Sequence, residues 1–312
     1  MKIKVFPDAP VLTEGWLDVG DGHAMHWQTS GNAEGKPVIW LHGGPGSSAS
    51  PLHKRFFDPA KFWIIQYDQR GCGKSRPAGS IHANQTADLV HDIERLRSHL
   101  KVPRWSVVGG SWGGALALLY AQAHPEVVVR MLLRSPFLCT AAEIENFTEF
   151  PPAACRARWQ VLKDQLPVNS EETILEFGYR VFCLENDATT QRRLALAWMA
   201  YEAAMNVFPQ PAALSMGTFE DASLIARYRV QSHYLMHRCF VNRDLLAGIG
   251  ALQELPLVLV HGDQDALCPF ANSLAIQRAL PQARVVRVEG GGHDLTDAGV
   301  MAATFSAIQE WT

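Results

Sequence analysis

The amino-acid sequence predicts an α/β protein with a mostly parallel central sheet, flanking helices and one inserted all-helical segment. In the first third of the chain, short apolar runs alternate with helical patterns, which is typical of parallel strands covered on both faces. From residue 139 to about residue 246, only helical periodicity remains, and the alternation then returns. We therefore expect a core made of residues 1–138 and 246–312, and a helical cap made of residues 139–245.

The strands are predicted from apolar runs that end in turn-forming residues. Near the N-terminus, Pro37–Leu41 runs into HGGPG, and Phe62–Tyr67 runs into DQRGCGKS. A third run, Trp105–Val108, leads into GGSWGG. After the helical segment, Pro256–Val260 precedes HGDQDALCP and Ala283–Val288 precedes EGGGHD. Functional residues are expected in these loops, because the carboxyl ends of parallel strands share one edge of a sheet.

Two helices are predicted between these strands. Gly113–His124 is rich in alanine and leucine and ends before Pro125. The other spans Thr86–Leu100 and presents one apolar face to the sheet. The residues of that face recur at helical spacing and are Leu89, Ile93, Leu96 and Leu100.

Composition and charge exclude several classes of partner. The 312 residues carry a formal net charge of −3 with both signs spread along the chain, so no basic stripe predicts nucleic-acid binding. No apolar run approaches the roughly 20 residues of a membrane span. The two N-terminal lysines are not followed by the apolar region of a signal peptide. Neither a metal-ligand cluster nor a phosphate-binding loop indicates a metal or a cofactor, and the sequence does not predict the oligomeric state.

The cysteines favour a cytoplasmic location. They show no CxxC pair and no regular spacing, which fits reduced thiols better than disulfides in a chain of this length. The six residues are Cys72, Cys139, Cys155, Cys183, Cys239 and Cys268.

The segment 109–113, GGSWG, matches G-x-S-x-G and predicts Ser111 as a nucleophile. A predicted strand enters this segment and a predicted helix leaves it, which is the setting of the nucleophile elbow in α/β hydrolases. Such a turn holds the serine in a strained backbone conformation that only small neighbours permit. The helix that follows favours negative charge at its N-terminus.

A serine nucleophile requires a base and an orienting carboxylate. In this fold the chain order is serine, acid, histidine, with each partner in a loop after a strand. His293 is therefore the predicted base, and Asp265 is the predicted acid. On the residues alone, Asp263 is a competitor in the same loop, whereas Asp294 is adjacent to His293 and poorly placed to bond its ring.

The reaction also requires backbone N–H groups aimed at the oxyanion, and losing one such donor costs roughly 10²–10³ in rate. One donor is expected from Trp112, which follows the nucleophile. The other is expected from the HGGPG turn, where Gly43 is the preferred residue, and Gly44 beside it is predicted to contact the substrate.

Taken together, these motifs resemble the prolyl aminopeptidase (proline iminopeptidase) family. HGGPG, DQRGCGKS, ADLVHDIERLR, GGSWGG, HGDQDALCP and GGGHD carry the resemblance, over residues 14–138 and from 246 to the end. The family's triad then maps onto Ser111, Asp265 and His293, which favours Asp265 over Asp263. Cys268 matches a cysteine beside the family's proline pocket, although it is equally interpretable as a small buried hydrophobe.

The resemblance also implies a site for the free amine of the substrate. AWMAYEAAM is similar to the first amine-binding helix of the family and places Glu202 there. Leu194, Trp198, Glu202 and Met205 share one helical face, so the carboxylate lies on an apolar stripe where a substrate ammonium would be a suitable partner. The alternatives are that Glu202 lies at the edge of the stripe or pairs with an arginine such as Arg227.

Two segments depart from the family pattern. In ARYRVQSHYL, Gln231 stands where the family has a second glutamate, and Tyr228 and Leu235 share its face. Glutamine accepts a hydrogen bond but brings no charge. The segment LRSPF (133–137) also differs, and its Phe137 is predicted to line the substrate site.

These observations predict a serine hydrolase that releases an N-terminal proline, or a similar small residue, from short peptides. The alternative is a capped esterase, amidase or lactonase that acts on a small acyl substrate without a free amine, and Gln231 is its main support. A ligand-binding protein without activity is disfavoured, since the triad and both oxyanion elements are all present.

Overall fold

The computed structural model describes residues 5–209, 220–241 and 244–312. Within these ranges, eight strands form one sheet in the order β1-β2-β4-β3-β5-β6-β7-β8. The strands are β1 Val11–Gly20, β2 His23–Gly31, β3 Lys36–Leu41, β4 Phe62–Tyr67, β5 Trp105–Gly110, β6 Val128–Arg134, β7 Leu257–Gly262 and β8 Arg284–Val288.

Helices cover the sheet and form the segment between β6 and β7. They are α1 Pro51–Lys54, α2 Thr86–His99, α3 Trp112–Ala123, α4 Ala141–Glu149, α5 Arg156–Lys163, α6 Ile174–Tyr179, α7 Ala188–Asn206, α8 Asp221–Met236, α9 Ala271–Ala279 and α10 Ala298–Gln309. A π-helical turn, Arg180–Leu184, follows α6. None of the helices in the described residues is long and apolar enough to cross a membrane.

The sheet is parallel except at one edge. β1 pairs with β2, and β2 with β4, in antiparallel fashion, whereas the pairs from β4 to β8 are all parallel. This topology confirms the predicted α/β class and the five predicted strands. Three strands were not predicted: β1, β2 and β6. In β1 and β2, polar residues and glycine interrupt the apolar runs from which strands were predicted. In β6 (VVRMLLR), one arginine lies inside the strand and another at its end.

The two faces of the sheet bury separate clusters of side chains. In β3, Ile39 and Leu41 point into the larger cluster, whereas Val38 and Trp40 point into the smaller one. Because neighbouring side chains of a strand alternate between faces, a strand buried on both sides reads as a continuous apolar run. Fully burying one such side chain stabilises the fold by roughly 1.5–3 kcal/mol.

The larger cluster continues from the sheet into the segment between β6 and β7. There, Trp198 of α7 is only 1% exposed. Its ring centroid lies 6.4 Å from that of Phe182 and 5.8 Å from that of Tyr228 on α8. Among the described residues, this segment contains helices and no strand. The helical insertion therefore packs as part of the same apolar core.

Candidate active site

Ser111 lies at the sharp turn between β5 and α3. Its backbone angles are φ 56° and ψ −127°, a region that residues with a side chain rarely adopt. A Cβ added at Gly109 would lie 2.2 Å from the carbonyl oxygen of Gly113, and one added at Gly113 would lie 2.2 Å from that of Leu41. The turn therefore requires glycine at both positions, as the G-x-S-x-G motif predicts.

Hydrogen bonds from β6 and the residues after it hold this turn in place. The N–H of Ser111 donates to the carbonyl oxygen of Arg134 at 2.9 Å, and the N–H of Phe137 donates to that of Ser111 at 3.3 Å. The serine is thus fixed by the strand next to β5 as well as by its own helix.

His293 and Asp265 lie in the loops after β8 and β7 and contact each other. The Nδ1 of His293 donates to the Oδ2 of Asp265 at 2.7 Å. The Oδ1 of Asp265 accepts from the N–H groups of Leu267 at 2.9 Å and Cys268 at 2.8 Å. Since Nδ1 is engaged by the carboxylate, Nε2 of His293 is left for the serine.

The environment keeps the Asp265 carboxylate charged. Its side chain is fully buried, and burial alone would raise its pKa, but the charge of His293 and hydrogen bonds from His261 and His293 hold the pKa well below its ordinary value. His261 was not predicted as a site residue. The Nε2 of this buried β7 histidine lies 3.4 Å from Oδ2 of Asp265 and bonds the carbonyl oxygen of Cys268 at 2.9 Å.

The two competing aspartates have other partners. The Oδ2 of Asp263 accepts from Nε of Arg287 at 2.9 Å, and its Oδ1 accepts from the N–H of Gly290 at 2.8 Å. The Oδ1 of Asp294 accepts from the N–H of Thr296 at 2.7 Å. Neither is the carboxylate that bonds His293.

The HGGPG loop lies directly against the nucleophile. A Cβ added at Gly43 would lie 3.5 Å from the Cβ of Ser111, and Gly44 has a φ of 117°, which favours glycine. On the other side, Trp112 is the first residue of α3, so its backbone N–H has no acceptor within the helix. Both predicted oxyanion donors are therefore next to Ser111.

Gln69 connects these two elements and was not predicted. Its side-chain Oε1 accepts from Nε1 of Trp112 at 2.9 Å, and its Nε2 donates to the carbonyl oxygen of His42 at 2.8 Å. The backbone N–H of Gln69 donates to Nε2 of His42 at 3.0 Å. The motif DQRGCGKS was the available signal, but it did not indicate which side chain faces the loop.

A cavity of about 520 Å³ opens in front of these groups. Ser111, His293, Gly43 and Gly44 line it on the core side. The apolar part of its wall includes two predicted residues, Phe137 and Cys268, and others that were not predicted, namely Ile144, Phe147, Leu235 and Leu267. The cavity therefore has the size typical for small ligands, and apolar side chains form part of its wall beside the serine.

The thiol of Cys268 lies at the nucleophile. It is 3% exposed, and its pKa is raised well above the ordinary value, chiefly by burial and then by the charge of Asp265. The nearby side chain of Ser111 acts in the opposite direction and lowers this pKa. The thiol is therefore neutral, which fits a packing role better than a reactive one.

Arg134 is a cationic residue of the cavity that the sequence analysis did not select. It lies at the end of β6, is 8% exposed, and donates through its guanidinium to the carbonyl oxygen of His293. Burial lowers its pKa, and the charges of Asp265 and Asp294 oppose that shift. The signal was the segment LRSPF, which was noted only for its departure from the family pattern.

The opposite wall of the cavity is formed by α7 and α8. Glu202 is 8% exposed, and its Oε1 accepts from Nε2 of Gln231 at 2.7 Å. Its Oε2 accepts from a terminal guanidinium nitrogen (Nη2) of Arg227 at 2.7 Å and from the hydroxyl of Tyr228 at 3.1 Å. The structure thus brings Glu202 and Gln231 together in the cavity, and it also pairs Glu202 with Arg227, one of the alternatives for this residue.

A second buried carboxylate, Glu143, lines the cavity but has a local role. It forms the capping box of α4 with Thr140 and accepts from the side chain of Asn272 on α9. In the described residues, no group of three or more His, Cys, Asp or Glu side chains could hold a metal ion.

Residues 36–298 match the family described as the alpha/beta hydrolase fold. Solved structures share this fold. A 2-hydroxy-6-oxo-6-phenylhexa-2,4-dienoate hydrolase from Rhodococcus aligns with a TM-score of 0.59 at 19% identity, over 97% of this chain and 99% of that one. A proline iminopeptidase-related protein from Thermus thermophilus aligns with a TM-score of 0.60 at 21% identity, over 96% of each chain. The α/β-hydrolase fold is therefore confirmed.

The relatives found by sequence similarity indicate a narrower family than the fold does. A probable proline iminopeptidase of Leptolyngbya boryana is 35% identical over 316 residues, covering 99% of this chain and 97% of the relative. A proline iminopeptidase of Arabidopsis thaliana is 37% identical over 300 residues, covering 94% of this chain and 79% of the relative. This chain belongs to the proline iminopeptidase family, as the resemblance of its motifs predicted.

Proposed function

We propose that this protein releases an N-terminal proline, or a similarly small residue, from short peptides by acyl transfer to Ser111. Membership of the proline iminopeptidase family supports this function. The observation that carries it is the cavity that Ser111 and His293 line together with a buried carboxylate, Glu202, on α7. Such a carboxylate suits a substrate that brings a positive charge.

In the proposed reaction, Oγ of Ser111 attacks the carbonyl carbon of the first residue while Nε2 of His293 takes the hydroxyl proton. Asp265 orients the ring through Nδ1 and stabilises the imidazolium. The backbone N–H groups of Gly43 and Trp112 donate to the oxyanion. His293 then protonates the leaving amine, and a water molecule activated by the same nitrogen hydrolyses the acyl-serine.

A second function is favoured by a specific observation. Glu202 already has a cationic partner, since Arg227 donates to it at 2.7 Å, and Gln231 adds no charge. A cavity whose carboxylate is neutralised from within suits an acyl substrate that lacks a free amine. The second candidate is therefore a capped esterase, amidase or lactonase that uses the same catalytic residues.

Turnover of three substrates distinguishes the two functions: proline β-naphthylamide, its N-acetylated form and a short acyl ester. For an aminopeptidase we expect preference for the free amine, and a KM for that substrate raised at least about tenfold by Glu202→Gln or Glu202→Ala. Glu172→Gln is the control, because it removes a carboxylate–arginine pair (2.7 Å to Arg180) outside the cavity. Equal or faster turnover of the blocked amide or the ester, insensitive to Glu202, would establish the second function.

The proposal includes the division of the chain into a core (1–138 and 246–312) and a cap (139–245), with a small peptide as substrate. It also includes a cytoplasmic location. The six cysteines, which form no disulfide in the structure, support a reducing compartment.

A further inference from the structure

The part of the cavity wall that α7 and α8 form holds one carboxylate and one guanidinium in direct contact. Glu202 of α7 and Arg227 of α8 are joined at 2.7 Å, and the other two groups on the carboxylate, Gln231 and Tyr228, are neutral donors. The charge of Glu202 also raises the pKa of Arg227, which is the largest cause of that shift. The negative charge of this wall is therefore compensated before any ligand enters.

A ligand with an ammonium group would bring a second cation to the same carboxylate. Two cations that share one carboxylate repel each other, and the repulsion is strong where little water screens it. Gln231 contributes no charge to offset the second cation. An ammonium that binds Glu202 therefore competes with Arg227 for this carboxylate.

The backbone of Arg227 is held by the neighbouring loop, whereas its guanidinium contacts side chains of α7 and α8: it donates to Glu202 at 2.7 Å and lies 5.4 Å from the ring centroid of Tyr228. A Cβ added at Gly46 would lie 2.3 Å from the carbonyl oxygen of Arg227, so α8 rests directly on the HGGPG loop. The side chain, in contrast, is 28% exposed and lines the cavity. Its Nε is buried without a hydrogen-bond partner among the described residues. The side chain can therefore turn into the cavity while the helix stays in place.

We propose that Arg227 is a specificity-determining residue, whose guanidinium occupies the position on Glu202 that a substrate ammonium must take. Amine binding then displaces Arg227 from Glu202, and this competition weakens the affinity for substrates with a free amine. The inference concerns the amine site of the proposed function and rests on that site receiving a cation.

The test measures binding of a small ammonium independently of peptide cleavage. Pyrrolidine, which is protonated at neutral pH, is used as an inhibitor of 1-naphthyl acetate hydrolysis, and cyclopentanol is its neutral analogue. In Arg227→Gln, the inhibition constant of pyrrolidine relative to that of cyclopentanol is expected to fall about tenfold, the effect of removing one charge-assisted competitor. A residue with only a structural role would affect both inhibitors alike.

Arg192→Gln is the matched control. Arg192 also joins α7 to α8, through Asp221 at 2.8 Å, but its side chain is 55% exposed and outside the cavity. Its substitution removes the same charge and should leave the ratio of the two inhibition constants within about twofold. Arg227→Met provides a second uncharged variant, with a side chain that retains the apolar stem.

The outcomes separate this inference from the proposed function. Tighter pyrrolidine binding in Arg227→Gln supports the inference, whether or not the wild type cleaves proline β-naphthylamide. Failure of the wild type to cleave that substrate would overturn only the proposed function. An unchanged or weaker relative affinity overturns the inference, whatever the peptidase result. If neither variant folds, a wild-type crystal structure with pyrrolidine decides: Arg227 off Glu202 supports the inference, and Arg227 still bound to Glu202 overturns it.

Discussion

At the scale of single residues, the fold holds the backbone of Ser111 in a conformation that residues with a side chain rarely adopt. A non-glycine residue in a sparsely populated region costs on the order of 1–3 kcal/mol, and here φ is 56°. The hydrogen bond from the N–H of Ser111 to the carbonyl oxygen of Arg134, at 2.9 Å, helps to offset this cost. The close approach of Gly109 to Gly113 also holds the turn in place. This turn places Ser111 in the wall of the cavity, so the proposed function and the local geometry depend on the same turn.

Replacing Ser111 with alanine should abolish acyl transfer while leaving the fold intact. We expect kcat to fall by about 10⁴-fold or more, since the remaining groups only stabilise the oxyanion and bind substrate. Labelling by a fluorophosphonate probe should also be lost. Ser48→Ala, a serine that lines the cavity but lies outside the turn, is the control and should still be labelled. Labelling of Ser111→Ala would show that another residue is the nucleophile.

The depressed pKa of Asp265 predicts how stability depends on pH. A carboxyl group with a lower pKa in the folded state stabilises the protein above its unfolded value, about 3.9, and loses that contribution as the pH falls further. The wild type should therefore exceed Asp265→Asn in free energy of unfolding most clearly above about pH 4. Urea unfolding of both proteins between pH 3 and 7 measures this difference. A difference that is constant or grows on acidification would contradict the assignment.

At the scale of secondary-structure elements, close backbone contacts decide where helices lie. At Gly113, α3 approaches the end of β3 so closely that a Cβ would be 2.2 Å from the carbonyl oxygen of Leu41 and 2.8 Å from that of His42. On the cap, the indole of Trp198 fits against Gly178, where a Cβ would be 2.4 Å from the ring. Small residues thus set the separation between elements at both the sheet and the cap.

Gly113→Ala should destabilise the fold by forcing α3 away from β3. Overpacking of this kind typically costs about 1–3 kcal/mol and occasionally more, so we expect a loss of about 3 kcal/mol in the free energy of unfolding. Gly250→Ala is the control, because no atom lies within 4 Å of the added Cβ. Urea denaturation of the two variants makes the comparison. Equal stabilities would mean that the α3–β3 contact is looser than described.

Trp198→Ala should remove the centre of the packing between α6, α7 and α8. The side chain is 1% exposed, and truncating a buried tryptophan costs roughly 3–5 kcal/mol. Phe150→Ala is the control on the same segment, since Phe150 is 63% exposed and should change stability by less than about 0.5 kcal/mol. Urea unfolding followed by circular dichroism gives both values. A loss below about 1 kcal/mol would show that the cap folds without this contact.

At the scale of the whole molecule, the proposed catalytic groups and the proposed amine site come from separate layers. The loops after β3, β5, β7 and β8 supply the core side of the cavity, whereas α7 and α8 supply the opposite wall. The apolar cluster that contains Leu41 of the sheet also contains Trp198 of the cap. Because one packed core holds both layers, the distance between the serine and Glu202 depends on the whole fold.

A cavity of about 520 Å³ under these helices should limit the length of the substrate. We expect kcat/KM for release of N-terminal proline to fall at least about tenfold from a tripeptide to a twenty-residue peptide, since the extra residues cannot be buried and must pass the cap. Mass spectrometry of a mixture of both peptides measures the ratio directly. Equal rates would indicate an open groove instead of a closed chamber.

The sequence by itself determined the fold class, five of the eight strands, the elbow around Ser111 and the family. These features depend on local patterns: apolar runs, glycines at fixed spacing, and chain order. A strand buried on both faces is apolar throughout, and a sharp turn requires glycine in any context. For the same reason β6 was missed, because its arginines interrupt the pattern although one of them, Arg134, lies at the cavity.

Only the tertiary structure decided which polar groups meet. Asp263 and Asp265 are two residues apart, and the sequence pattern alone did not separate them, yet in space one bonds Arg287 and the other bonds His293. Glu202 and Arg227 are 25 positions apart on different helices, and their contact depends on how α7 packs against α8. Apolar periodicity determines which face of an element is buried. It does not determine the partner of a charged side chain, because that depends on distances between elements that no local pattern encodes.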